Sequence, residues 1–136
     1  MSNPHAVAAA EAFVGSPFRL RGRDPMTGLD CVGLIAAVTD RVGGNARPPT
    51  SYGLRNTSIN AMLSSASASG LRRTENPSAG DVLLFDLGAG QFHLAVAVGP
   101  EAIVHAHAGL RKVVQGKPDP SWKRIAAWQI PIHFKD

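Results

Sequence analysis

Asp30-Cys-Val-Gly-Leu-Ile-Ala-Ala-Val-Thr-Asp-Arg-Val42 places the chain's one cysteine at the head of a helical pattern. Cys31, Leu34, Ile35, Val38 and Val42 recur at 3.6-residue spacing. That spacing predicts a helix over 31–42 with a single apolar face. Asp30 is a suitable N-cap, and Gly43-Gly44 ends the pattern. A helix start presents backbone N–H groups and the positive end of the helix dipole, so a thiol there ionises more readily than in water. Gly33 has no Cβ, which predicts open surface beside the sulfur for a substrate backbone. A lone cysteine is otherwise a small buried apolar residue, so the rest of the chain must choose between nucleophile and filler.

Outward from this helix the chain changes character. Upstream, Ser2, Asn3 and Pro4 form a helix start that Ala6 to Val14 continue and Gly15 stops. Residues 15–29 read as a loop rich in Gly, Pro and Arg. Downstream, residues 45–56 are irregular, and Ser58 to Ala68 form a serine-diluted helical stretch. After Pro77 and Gly80 the period shortens. Asp81–Phe85, Phe92–Val98, Ala102–His107, Arg111–Val114 and Ile125–Ile132 read as short strands separated by turn signals. Helices followed by an antiparallel sheet is an α+β layout. No repeat or linker divides the 136 residues, so one domain over 1–136 is expected.

Composition removes several classes. With 44% hydrophobic and 18% charged residues, this is a globular chain and not a disordered one. The net charge of +4 suits an anionic polymer, nucleic acid or cell wall, without choosing between them. Apolar runs such as Leu94-Ala-Val-Ala-Val98 fall far short of the roughly 20 residues of a membrane span. The start, Met1-Ser-Asn-Pro-His-Ala6, does not read as a secretory signal. One cysteine excludes an internal disulfide and a multi-cysteine zinc site.

The histidines favour the nucleophile. His93 and His105 lie in consecutive strand patterns joined at Gly99-Pro100, each within apolar alternation where an unpaired imidazole is costly. Antiparallel neighbours can bring them together. A cysteine nucleophile needs a base from elsewhere in the chain and a third group to orient it. His107 shares the parity of His105 and is the alternative orienter. A metal held by His93, His105 and His107 has no carboxylate pattern to support it. Arg19, Arg21 and Arg23 precede Cys31 and suit carboxylate recognition, or form a solvated loop. Arg72-Arg73 reads as an exposed face, Asp81 as a turn residue, and Trp122 and Trp128 as packing for the last strand.

Three segments carry a resemblance: Gly15-Ser-Pro-Phe18 with Gly28-Leu-Asp-Cys-Val-Gly-Leu34, then Ala79-Gly-Asp-Val-Leu-Leu-Phe85, then His93-Leu-Ala-Val-Ala-Val-Gly99 with Ile103-Val-His-Ala106. In this order and spacing the chain resembles the NlpC/p60-type cysteine peptidases of bacterial cell walls. The resemblance implies a papain-like α+β fold, its nucleophile helix packed on a C-terminal antiparallel sheet. It implies Cys31 as nucleophile, His93 as general base and His105 as orienter, with Phe18, Arg19, Asp30 and Gly33 on the substrate side and no cofactor or metal. The implied substrate is a peptidoglycan stem peptide, cut between D-glutamyl-γ and diaminopimelate; neither nucleic acid nor membrane insertion is implied. Two positions depart from the pattern: Phe18 stands where many relatives carry Tyr, and Val32 where many carry Ser. The short form without a signal resembles wall peptidases of phage tails or gene-transfer particles. Tail proteins are therefore expected partners, with synthesis in the cytoplasm and delivery by a tail-like particle or a secretion machine. Two alternatives share the pattern: a thiol amidase or acyltransferase on another substrate, and a non-catalytic tail-tip or wall-binding module.

Overall fold

The computed structural model describes residues 2–48 and 59–131. Three helices precede most of the strands. Helix α1 spans Pro4–Ala12 and α2 Cys31–Arg41. Between them Arg23–Asp24 (β1) and Gly28–Leu29 (β2) pair as a small hairpin inside the expected loop. Helix α3 spans Ile59–Ala68; Ser58 and residues 49–56 of the irregular stretch lie outside the described residues. Six strands follow: β3 (Arg72–Arg73), β4 (Val82–Gly88), β5 (Gln91–Gly99), β6 (Ala102–His107), β7 (Lys112–Gly116) and β8 (Lys123–Gln129). They form one antiparallel sheet in the order β3-β8-β4-β5-β6-β7. This is the expected α+β arrangement.

Local chemistry accounts for the helix starts. The Asn3 side chain accepts from the Ala6 N–H at 3.1 Å and donates to the Ile130 carbonyl at 3.0 Å. One side chain thus caps α1 and ties it to the end of the sheet. Gly15, at φ +95°, turns the chain away after α1 in a backbone region open to glycine. The last strand starts at Lys123 and ends before Ile130-Pro131, because proline has no N–H to extend the ladder. Ile132 lies outside the described residues.

Strand alternation sorts the core into two clusters. Val82, Leu84, Leu94, Val96, Val104, Ala106 and Val113 join residues of all three helices. Leu83, Phe85, Ala95, Ala97, Ile103 and Ala127 form a smaller cluster on the other face, with Leu87 and Trp122 packed against it. Trp128 is buried in the helix-side cluster, as expected for packing of the last strand. Among the described residues no helix is long and apolar enough to cross a membrane.

One irregularity positions the site. The ladder between β5 and β6 runs from Gly99/Ala102 to Val96/Val104. On the far side of that pair, β5 keeps its partner β4 down to Gln91 and β6 keeps β7 down to His107. The sheet therefore opens between β5 and β6 on the side that holds His93 and His105.

Candidate active site

Cys31 is the first residue of α2 and is buried. Asp30 builds the corner beneath it. Its Oδ1 accepts from the Gly33 N–H at 2.8 Å, and its Oδ2 from the Arg21 N–H at 2.8 Å. The Arg23 guanidinium bridges to Oδ1 at 3.2 Å. One buried carboxylate thus caps the helix and fastens the preceding loop against it. Arg21 takes φ +60° in that loop, a left-handed conformation for a residue with a side chain.

Gly33 has a different role from the open surface expected of it. A Cβ at this position would overlap the Gly22 carbonyl oxygen. The missing side chain lets the loop, and not a substrate, approach the first turn of α2. Arg19 is exposed and is not among the residues lining the cavity at Cys31, while Arg23 is engaged with Asp30. The loop contributes Phe18 and Leu20 to that wall.

Across the opening, the His93 Nε2 and His105 Nδ1 lie 2.8 Å apart, so one proton is shared between the rings. The rings meet edge to face, 5.0 Å between centroids at 82°. It is therefore His105 that hydrogen-bonds His93. His107 lies 5.6 Å from the His105 ring and instead accepts the Leu110 N–H at its Nδ1, at 3.0 Å. By alternation His93 and His105 share the parity of Ala95 and Ile103, both in the cluster away from the helices. Cys31 belongs to the helix-side cluster. The two meet because the sheet is open here. Cys31, His93 and His105 line one cavity of about 250 Å³, together with Asp30, Phe18, Phe92, Ala106, His107 and Trp122.

Burial dominates the electrostatics of the pair. It pushes His93 down to about 3, helped by the neighbouring His105 and His107. It pushes His105 down to about 4, again with His107 contributing. Both imidazoles are neutral at physiological pH, the state in which His93 can accept a proton. Among the described residues no group of three or more His, Cys, Asp or Glu is placed to hold a metal ion.

Trp122 is the site residue that sequence reasoning assigned only to packing. It contacts His93 at 5.3 Å, His105 at 5.8 Å and Phe85 at 5.5 Å between centroids. The signal present in the sequence was Asp119-Pro-Ser-Trp122. The Asp119 carboxylate accepts from the Ser121 N–H and Oγ, and its carbonyl from the Trp122 N–H. Arg72-Arg73 is exposed, as read from the sequence, and forms the edge strand β3 that the sequence did not show. Asp81 accepts the Ser78 N–H in the turn before β4, and burial pushes its carboxyl up. His5 is exposed, and His133 lies outside the described residues.

Fold and site together define a papain-like α+β protein with a thiol at a helix head and a paired imidazole on the facing strands. The NlpC/P60 family model matches residues 15–127, and the chain belongs to that family. Similar solved structures include the NlpC/p60 domain of the peptidoglycan hydrolase SagA, 26% identical over 86% of this chain and 90% of that one, TM-score 0.60. NlpC2 from Trichomonas vaginalis is 15% identical, with 92% of this chain and 44% of that one covered and a TM-score of 0.69. The peptidoglycan hydrolase RipB from Mycobacterium tuberculosis is 18% identical, with 96% and 65% covered and a TM-score of 0.62. The last two bear on the fold alone, and this chain spans only part of their length. No curated protein matches the chain at a significant level.

Proposed function

We propose that this protein is a cysteine peptidase that hydrolyses an amide bond in peptidoglycan stem peptides. The observation that carries the reading is the shared cavity of Cys31, His93 and His105, with His93 bonded to His105. Family membership and the similarity to the SagA domain support the wall substrate. The bond between D-glutamyl-γ and diaminopimelate is the proposed point of cleavage.

Base catalysis by His93 requires the tautomer in which its Nε2–H donates to Nδ1 of His105, leaving Nδ1 of His93 as the basic nitrogen. That nitrogen takes the proton of Cys31, and the sulfur attacks the amide carbonyl carbon. Negative charge then develops on the carbonyl oxygen, where the head of α2 supplies the stabilising field. His93 passes its proton to the departing amine nitrogen as the carbon–nitrogen bond breaks. Water, deprotonated by His93, then cleaves the thioester and frees Cys31. His105 keeps the His93 ring in register throughout. Delivery to the wall by a tail-like particle or a secretion machine is proposed on the sequence reading alone.

The test is release of muropeptide fragments from purified peptidoglycan, read by mass spectrometry. The wild-type chain is expected to release them and Cys31→Ala to release none while keeping its fold. Undiminished digestion by Cys31→Ala would exclude Cys31 as the nucleophile. The masses identify the bond.

A further inference from the structure

Trp122 lines the cavity beside the histidine pair and also packs against the smaller apolar cluster. It is the residue immediately before β8, so its direction is set by the preceding turn and not by the ladder. That turn is stiff. Pro118 and Pro120 flank Asp119, whose carboxylate holds Ser121 through two contacts of 2.7 and 2.8 Å. The indole contacts both imidazoles in steep edge orientations, at 66° to His93 and 84° to His105. Phe85, paired with His93 across β4 and β5, supports it from behind.

We propose that Trp122 is a positioning residue for the His93–His105 pair. Its indole shuts water out on the side of the smaller apolar cluster and holds the two ring planes at the angle their hydrogen bond needs. The lowering of both imidazoles by burial accords with this arrangement. Without the indole, water would reach the pair, compete for the shared proton and stabilise the imidazolium forms. Other charged or titratable groups stand on each surrounding element. Asp30 and Cys31 are at the head of α2, with Asp30 bound to Arg23. Asp86 on β4 accepts the Gly88 N–H. Lys112 on β7 pairs with His107, and Lys123 and Arg124 open β8. His107 is the further titratable ring in contact with the pair.

The catalytic consequence rests on the peptidase reading, but the test does not. Nuclear magnetic resonance titration of the imidazoles in the wild type, Trp122→Phe and Trp122→Ala reads the effect directly. Both pair imidazoles are expected to titrate well below 6.5 in the wild type and nearly unchanged in Trp122→Phe. In Trp122→Ala they should rise by about one unit or more. Folded Trp122→Ala with unchanged titrations overturns the proposal. Trp122→Gln, which is smaller and brings a polar amide to the pair, is expected to raise both titrations as Trp122→Ala does, and unchanged titrations in it overturn the proposal as well. A further readout leaves position 122 intact. With Trp128→Phe isolating its emission, Trp122 fluorescence should follow the titration of the pair, and a flat trace through that titration overturns the contact. Peptidoglycan digestion is run in parallel. Shifted titrations without any wild-type digestion refute the peptidase reading and leave this inference standing; digestion with unshifted titrations refutes this inference alone.

Discussion

Asp30 holds the head of α2 through hydrogen bonds from groups within nine residues of it. His93 and His105, by contrast, are held by burial and by rings from different strands and a distant turn. The first region is polar and local in the sequence, and it favours negative charge. The second is apolar and assembled from remote segments, and it opposes positive charge. The contrast suits proton transfer: the sulfur's corner is prepared to carry a charge while the imidazoles wait neutral.

Removing the base should have the largest effect. His93→Gln should lower fragment release by about 10²–10⁴-fold. The fold should remain, because glutamine keeps a polar group at a half-buried position; circular dichroism checks this. A variant retaining wild-type rates would place the base elsewhere.

Acid should act next, through the histidine pair. Unfolded imidazoles titrate near 6.5, and the folded ones near 3 and 4. Between those values the unfolded chain binds more protons, so stability is lost as pH falls from about 6.5 toward 4 and then 3. Asp81, whose pKa is raised by burial, works in the opposite direction. Urea unfolding across this range should show net loss on acidification, and a flatter profile in a His93→Gln/His105→Asn double variant. An equally steep profile in that variant would assign the loss to other groups.

The polar corner should respond to smaller changes. Gly33→Ala forces a Cβ into the Gly22 carbonyl and should cost about 1–3 kcal/mol in urea unfolding. An unchanged midpoint would mean that the loop yields freely. Asp30→Ala removes the cap of α2 and should cost about 1–2 kcal/mol. Recovery of most of that loss in Asp30→Asn would show that the capping hydrogen bond, and not the ion pair with Arg23, carries most of it.

Much of this arrangement was legible in the chain. The caps Asn3 and Asp30, the apolar face of α2 and the alternation of β4 to β6 all act within a few residues, so their patterns survive in the sequence. The hairpin of β1 and β2 and the edge strand β3 were missed because two residues have no periodicity to read. Gly33 was read for its freedom, but its neighbour Gly22 comes from a loop eleven positions away. Trp122 was read as packing because its contacts with His93 and His105 exist only once the turn before β8 is folded onto the sheet.

Short-range pattern was thus enough to set a cysteine at a helix head and two imidazoles on neighbouring strands. It was not enough to bring them together, since a period of two assigns His93 and His105 to the face away from Cys31. Their meeting depends on where β5 stops pairing with β6. That point depends on how four strands, β4 to β7, pack and pair together, which no single segment encodes.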